Sequence, residues 1–262
     1  MNHLLSIYRA ESSKNTFLLC DFLHETDVKQ IDLTALHALL LEEKRDDILI
    51  LLGGKKENSH LSLQFLIYGC DGQFAEFCGN GAVTTAAYLY TQYPQYCAFT
   101  LNGPKGSYPL KSFGQGEYAA ELPFPSKAWN PQFISNWERF QKKYPDLTYI
   151  EALEPHLTIQ KEMSNQELLS LGQELNAQKD LFPLGINVNA WQKVKDQMLF
   201  VKTYERGVQR LTLACGTGSI ASSAHAGLKG NILVQTPGGL LQINWTTQGV
   251  ELKGKSKIEF PD

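Results

Sequence analysis

Cysteine is scarce in this chain: the 262 residues hold five, Cys20, Cys70, Cys78, Cys97 and Cys215, with no C-x-x-C spacing among them. That excludes a disulfide-built scaffold and a thiolate zinc knuckle, and it fits thiols that stay reduced. An excess of one charge is lacking too. Twenty-four basic against 27 acidic residues leave a net charge of −3, so neither nucleic acid nor an anionic membrane is an expected partner, and a small molecule is. The longest aliphatic run, Ile48 to Leu52, is a strand's worth and far short of the ~20 residues of a membrane span. Leu4, Leu5 and Ile7 ahead of Tyr8-Arg9 are too few for a signal-peptide core, and a cytoplasmic protein is expected. There is no Gly-Lys-Ser/Thr phosphate loop, no low-complexity stretch and no charged linker.

What the chain does have is one pattern written twice. Phe77-Cys-Gly-Asn-Gly-Ala-Val-Thr-Thr-Ala-Ala87 and Ala214-Cys-Gly-Thr-Gly-Ser-Ile-Ala-Ser-Ser-Ala224 lie about half the chain apart. Each reads as a Gly-rich turn opening into a helix of small residues. The first backbone N–H groups of such a helix lack internal acceptors and point outward with the positive end of the dipole behind them. A cysteine placed there favours the thiolate. A single Cys-Gly-x-Gly is as readily a buried cysteine beside a tight turn, but its duplication argues for two matched halves. A dinucleotide fingerprint is a poor match, because the third glycine and an acidic ribose partner are missing.

Alternating or continuous apolar character predicts strands at Leu4–Tyr8, Thr16–Asp21, Asp47–Leu52, Leu61–Tyr68 and Ala98–Leu101. Gly53-Gly54 and Asp71-Gly72 read as turns. Helices are predicted over Thr34–Leu41 and from Gly81 to Tyr90, the latter with one buried face. The order then repeats, with strands at Tyr108–Leu110, Glu117–Leu122, Tyr149–Ala152, His156–Ile159, Asn187–Trp191 and Met198–Tyr204, a helix at Asn165–Leu175 and the second Cys helix. Ile232–Gln235, Leu240–Trp245 and Val250–Leu252 complete the strands, broken by Pro237-Gly238-Gly239. Pro123 to Pro131 marks the boundary. We therefore divide the chain into residues 1–120, carrying Cys78, and 121–262, carrying Cys215, with the last strand free to return to the first half.

Two thiols facing one carbon from opposite sides can invert its configuration. One thiolate removes the α-proton of an amino acid while the other thiol protonates the far face, and neither metal nor cofactor is called for. The N–H groups of Gly79, Asn80, Gly216 and Thr217 would hold the α-carboxylate as charge develops on it. Glu205 offers a carboxylate to an α-ammonium, and Arg206 a guanidinium to a carboxylate elsewhere on the substrate. Cys20, Cys70 and Cys97, in apolar surroundings, read as packing residues.

These residues resemble the diaminopimelate epimerase family, end to end. The motifs that carry the likeness are Cys78-Gly79-Asn80-Gly81-Ala82, Tyr204-Glu205-Arg206-Gly207-Val208 and Thr212-Leu213-Ala214-Cys215-Gly216-Thr217-Gly218. The resemblance implies an α/β fold of two pseudo-symmetric halves, each a β-roll around a central helix, with the active site in the cleft between them and a homodimer. It implies Cys78 and Cys215 as the catalytic pair, tuned by Glu205 and His156. It also implies Asn15 and Asn187 as substrate-binding residues, and interconversion of L,L- and meso-diaminopimelate.

Three positions depart from the family pattern. Gly69 stands where the family has an asparagine, Leu153-Glu154-Pro155-His156 replaces Gly-Asn-Pro-His, and Asp46-Asp47-Ile48 covers a Gly-x-Asp-Gln segment, putting Ile48 in place of the glutamine. The departures fall where the family serves the distal end of its substrate. With Glu154 as a substrate contact they open a second reading, a cofactor-independent racemase of histidine or a basic amino acid. A third reading is a paralogue that binds an amino acid without turning it over. A related isomerase using a carboxylate base is disfavoured by the retention of both motif cysteines.

Overall fold

A computed structural model of the chain describes residues 6–25 and 27–260. Leu4 and Leu5 of the first expected strand lie outside the described residues. The chain divides into two compact units, Met1–Leu122 with Leu252–Asp262 and Pro123–Glu251. The first unit opens with strands β1 (Ser6–Ser12) and β2 (Asn15–Phe22), helix α1 (Leu33–Glu42), and strands β3 (Asp47–Glu57), β4 (His60–Gly69) and β5 (Phe74–Ala75). Helix α2 (Gly79–Gln92) and strands β6 (Ala98–Gly103), β7 (Gly106–Gly114) and β8 (Glu117–Leu122) follow. The second unit begins with α3 (Trp137–Lys143), β9 (Thr148–Ala152), β10 (Glu154–Gln160), α4 (Asn165–Ala177) and β11 (Asn187–Lys195). It continues with β12 (Met198–Glu205), β13 (Arg210–Thr212), α5 (Gly216–His225), β14 (Asn231–Thr236) and β15 (Gly239–Trp245). Strand β16 (Val250–Lys255) leads back to the first unit, which β17 (Lys257–Glu259) closes by pairing with β1.

The two units repeat one wiring. In the first, β1 runs antiparallel to β2, β2 parallel to β3, β3 antiparallel to β4, β4 parallel to β6 and β6 antiparallel to β7. In the second, β9 to β15 give the same alternation in the same order. Helices α1 and α4 make the first parallel crossover of each unit, and α2 and α5 the second. The registers also correspond. Phe17 pairs with Asp47 as His156 pairs with Asn187, and Ile48 pairs with Tyr68 as Val188 pairs with Tyr204. Parallel neighbours need a helical crossover of about a dozen residues, which is why strand and helix alternate in this way.

The outer helices are one-faced and the inner ones are not. Helix α1 lays Leu36 and Leu40 on Leu18, Ile48, Ile50 and Leu52. Helix α4, started by a capping box of Ser164 and Glu167, lays Leu168 and Leu175 in a cluster with Val188 and Tyr204. By contrast, α2 is buried without a break from Gly79 to Leu89, and α5 from Gly216 to Ser223. The single buried face expected of α2 is thus a fully buried turn-by-turn surface, because strands of its own unit pack around it. Only small side chains let strands come that close. Of the hydroxyls this brings inside, Ser219 Oγ donates to the Cys215 carbonyl at 2.7 Å and Ser222 Oγ to the Gly218 carbonyl at 2.8 Å, while Thr84 Oγ1 meets Ser256 Oγ at 3.0 Å and Thr85 Oγ1 has no hydrogen-bond partner among the described residues.

Two local expectations are corrected. Gly53-Gly54 is not a turn. Both glycines lie inside β3, where a register slip between Leu52 and Gly54 absorbs the positive φ of Gly53, and the strand runs on to Glu57. Helix α3 is not expected from the sequence. Asn136 caps it by accepting from the Arg139 N–H, and Phe140 is its one buried anchor, too little periodicity to read.

At the far end of α5, Trp191 Nε1 donates to His225 Nδ1 at 3.1 Å, which requires an unprotonated nitrogen there. Burial and nearby Lys127 hold the His225 pKa below its usual range. A base with a lowered folded-state pKa adds stability above its unfolded pKa and loses it as pH falls. The urea midpoint should therefore drop as pH falls below about 6.5, and His225→Gln should flatten that drop. A Cβ on Gly172 would sit 2.2 Å from the buried Tyr204 ring. Gly172→Ala should therefore cost about 1–3 kcal/mol of unfolding free energy, while Gly207→Ala, which meets nothing within 4 Å, should change the denaturation midpoint little.

Candidate active site

Both motif cysteines occupy the same structural position, the N-cap of an inner helix. Cys78 has φ −136° and ψ 114°, and its Sγ accepts from the Gly81 N–H at 3.4 Å. Cys215 has φ −127° and ψ 113°, and its Sγ accepts from the Gly218 N–H, also at 3.4 Å. A sulfur thus takes the place of the usual Ser or Asp oxygen at a helix start. The glycine two residues into each helix is a steric requirement. A Cβ on Gly218 would stand 2.3 Å from Asn189 Oδ1 and 3.2 Å from the Cys215 sulfur; on Gly81 it would stand 2.8 Å from the end of Leu49 and 3.4 Å from the Cys78 sulfur.

Around Cys215 the second unit gathers most of the candidate residues. Thr217 Oγ1 lies 3.5 Å from the sulfur and 3.1 Å from His156 Nε2. The other ring nitrogen of His156 receives Asn189 Nδ2 at 2.9 Å, and the ring is fully buried. Glu205 accepts from Thr212 Oγ1 at 2.8 Å and is hydrogen-bonded to Cys215. Burial raises both pKa values, and the Glu205 charge raises that of Cys215 further, against lowering by Thr217 and the Gly218 N–H. The expectation that the helix terminus alone would favour a thiolate is therefore corrected at this position. The helix-end effect, of order 0.3–1 kcal/mol, is smaller than the cost of a half-buried anion next to a carboxylate.

Asn187 accepts from the Arg206 N–H at 2.9 Å. The Arg206 guanidinium is itself committed: Nη2 donates to Glu154 at 2.7 Å, Nη1 to the Leu184 carbonyl at 3.2 Å, and its plane lies 5.3 Å from the Phe133 ring centre. Glu154 and Arg206 side chains keep only 14% and 18% of their exposure. The pair that sequence reading assigned separately to substrate contacts is thus one ion pair.

The first unit brings Asn15 and Asn80 together, with Asn80 Nδ2 donating to Asn15 Oδ1 at 3.4 Å, on the helix that Cys78 caps. Ile48 does not face the helix that Cys78 caps. Its side chain packs among Leu36 and Leu40 of α1, whereas Leu49 reaches the Gly81 position of α2. Strand alternation then puts Asp47 on the α2 side, with its carboxylate 3.7 Å from where a Cβ on Gly69 would be. Asp71 lies at 2.8 Å from the same point, so carboxylates fill the space at Gly69. Sequence reading also missed Asn189. The signal was there, since Asn187 and Asn189 are two apart on one strand and share a face.

Among the described residues, no group of three or more His, Cys, Asp or Glu could hold a metal ion, and no helix is long and apolar enough to cross a membrane. The diaminopimelate epimerase family model matches residues 151–258. A diaminopimelate epimerase of Hydrogenobaculum sp. (strain Y04AAS1) is 28% identical over 227 residues, covering 82% of this chain and 79% of that protein. One from Rickettsia prowazekii (strain Madrid E) is 32% identical over 168 residues, covering 63% and 61%. This chain is similar to the diaminopimelate epimerase family in both comparisons. It is an isomerase.

The family's two-halved fold is shared with distant solved structures. A predicted epimerase from Pseudomonas aeruginosa superposes with a TM-score of 0.65 at 12% identity, over 97% of both chains. A probable proline racemase from Agrobacterium radiobacter K84 gives 0.61 at 12% identity, over 98% of this chain and 92% of that one. In this chain the two capping thiols differ in what a neighbouring methyl would strike. Gly218→Ala drives against fixed polar atoms, so α-proton exchange should fall by roughly 100-fold, the usual effect of an ångström-scale misplacement. Gly81→Ala meets the flexible end of Leu49 and should lose distinctly less. Exchange rates of the two folded variants measured side by side decide it.

Proposed function

We propose that this isomerase inverts the α-carbon of an amino acid by a pair of thiols, Cys78 and Cys215, with L,L- and meso-diaminopimelate as its substrates. One thiolate takes the α-proton while the other thiol delivers a proton to the opposite side, and the roles swap in the reverse direction. The observation that carries this reading is the duplicated cap: two cysteines in one backbone geometry, each at the start of an inner helix. The first-turn N–H groups at Gly79, Asn80, Gly216 and Thr217 lie outside the helical ladder and suit a carboxylate that gains charge in the transition state. Glu205, hydrogen-bonded to Cys215, can take and return that thiol's proton between turnovers. His156 acts on the same thiol through Thr217.

One observation favours a second substrate. A distal carboxylate would have to compete with Glu154 for Arg206, which Glu154 already holds at 2.7 Å. An amino acid with a cationic or neutral side chain has no such competitor. Solvent deuterium incorporation at Cα, followed by NMR in reducing buffer, separates the two readings. Exchange of diaminopimelate alone supports the first; exchange of L-histidine, L-lysine or L-arginine alone supports the second; exchange of none removes the isomerase chemistry proposed for the thiols. Glu154→Asn should shift the ratio toward diaminopimelate by roughly 10- to 100-fold, the equivalent of about 1–3 kcal/mol for one buried polar contact. An unchanged ratio would retire Glu154 as a specificity residue.

A further inference from the structure

The polar residues behind Cys215 have no counterpart of the same chemistry behind Cys78. By strand register, His156 corresponds to Phe17 and Asn187 to Asp47, and two residues further along the same strands Asn189 corresponds to Leu49. The glycine contacts agree, since Gly218 faces Asn189 where Gly81 faces Leu49. Phe17 and Leu49 are fully buried and carry no hydrogen-bond donor. At the His156 and Asn189 positions, therefore, the same backbone carries polar side chains in one unit and apolar ones in the other.

The bonds in the polar wall fix one another's direction. Asn189 Nδ2 lies 3.4 Å from the Leu157 carbonyl, which can only accept, and Thr203 Oγ1 lies 2.8 Å from Asn189 Oδ1. The amide thus points its NH2 group at His156 Nδ1, 2.9 Å away, and that nitrogen must be an acceptor. In the neutral ring the proton then sits on Nε2. A protonated Nε2 cannot accept from Thr217, so the hydroxyl hydrogen of Thr217 is left for the Cys215 sulfur at 3.5 Å. With the opposite tautomer Thr217 would donate to the ring, and the sulfur would lose that donor.

We propose that Asn189 and His156 are positioning residues that hold the Thr217 hydroxyl as a standing donor to the Cys215 sulfur. The inference rests on Cys215 being a proton-transfer group, as in the function proposed above. The charged groups facing this thiol in its own unit are Glu205, directly hydrogen-bonded, and Glu154 and Arg210, which act on Glu205. None of them is altered in the test that follows.

The test is the pH dependence of iodoacetamide alkylation, read for the Cys215 and Cys78 peptides in the same tube by mass spectrometry, without substrate. Thr217→Val removes the donor and keeps the shape; Asn189→Leu installs the residue of the other unit; Thr217→Ser keeps the hydroxyl. In the first two variants the Cys215 midpoint should rise by about one pH unit, the scale of one hydrogen bond, with Cys78 unmoved. Thr217→Ser should return it to the wild-type value. An unmoved Cys215 midpoint in either folded variant, or an equal shift at Cys78, overturns the proposal. Because no turnover is measured, such a failure leaves the proposed reaction standing, and a missing deuterium exchange would count against the reaction alone.

Discussion

The structure depends on one contact made twice: a backbone N–H of a glycine held by a cysteine sulfur at the first turn of a buried helix. That contact makes demands outward. The fourth residue of each motif, Gly81 or Gly218, has no side chain because a Cβ would strike the wall or the sulfur. The helix behind it carries Ala, Ser, Thr and Gly because strands of its own unit pack around it. In α5 the buried hydroxyls of Ser219 and Ser222 turn back onto helix carbonyls, whereas in α2 Thr84 meets Ser256 and Thr85 Oγ1 stays without a hydrogen-bond partner among the described residues. A longer side chain in the first two turns would push a strand away and move the sulfur with it.

A duplicated frame does not give two equal thiols. Around Cys215, burial and the charge of Glu205 favour the protonated form, while Thr217 and the Gly218 N–H favour the anion. Donors of this kind matter most where water is scarce, since a bond worth little at the surface strengthens in a low-dielectric site. In the proposed reaction Cys215 serves as both acid and base, which needs its two forms close in energy. A carboxylate partner to receive the proton and a fixed hydroxyl to hold the resulting anion meet that need together. Cys20 shows the contrast: burial alone pushes its thiol up to about 12, and nothing offsets it.

Much of this was legible in the sequence. The two Cys-Gly-x-Gly motifs, their spacing and the small residues after them were enough to place both caps, because steric demands leave marks on composition. Most strands could be read from apolar character, continuous where both faces are buried, as in β3, and alternating where one is, as in β4. What could not be read was direction. Asp47 and Ile48 are adjacent and point to opposite faces, and only the pairing of β3 with its neighbours shows which one looks toward α2. Asn189 shares a face with Asn187, but the histidine it orients lies on the neighbouring strand and only the pairing of β10 with β11 shows it. Gly53-Gly54 misled because a bulge and a turn ask for the same residue.

The Glu154–Arg206 pair raises a different question, since a largely buried ion pair is weak evidence of stabilisation: desolvating both groups costs about as much as their attraction returns. Its geometry gives it a more specific consequence. Glu154 raises the Glu205 pKa through its charge, and Arg206 partly neutralises Glu154. An anionic ligand group that drew Arg206 away would leave Glu154 uncompensated next to Glu205 and so make the carboxylate form of Glu205 costlier. A cationic ligand group placed near Glu154 would do the reverse. The charge at the far end of a bound amino acid is thereby coupled to the group that exchanges a proton with Cys215, so in the proposed reaction substrate choice and acid strength are set by the same few residues.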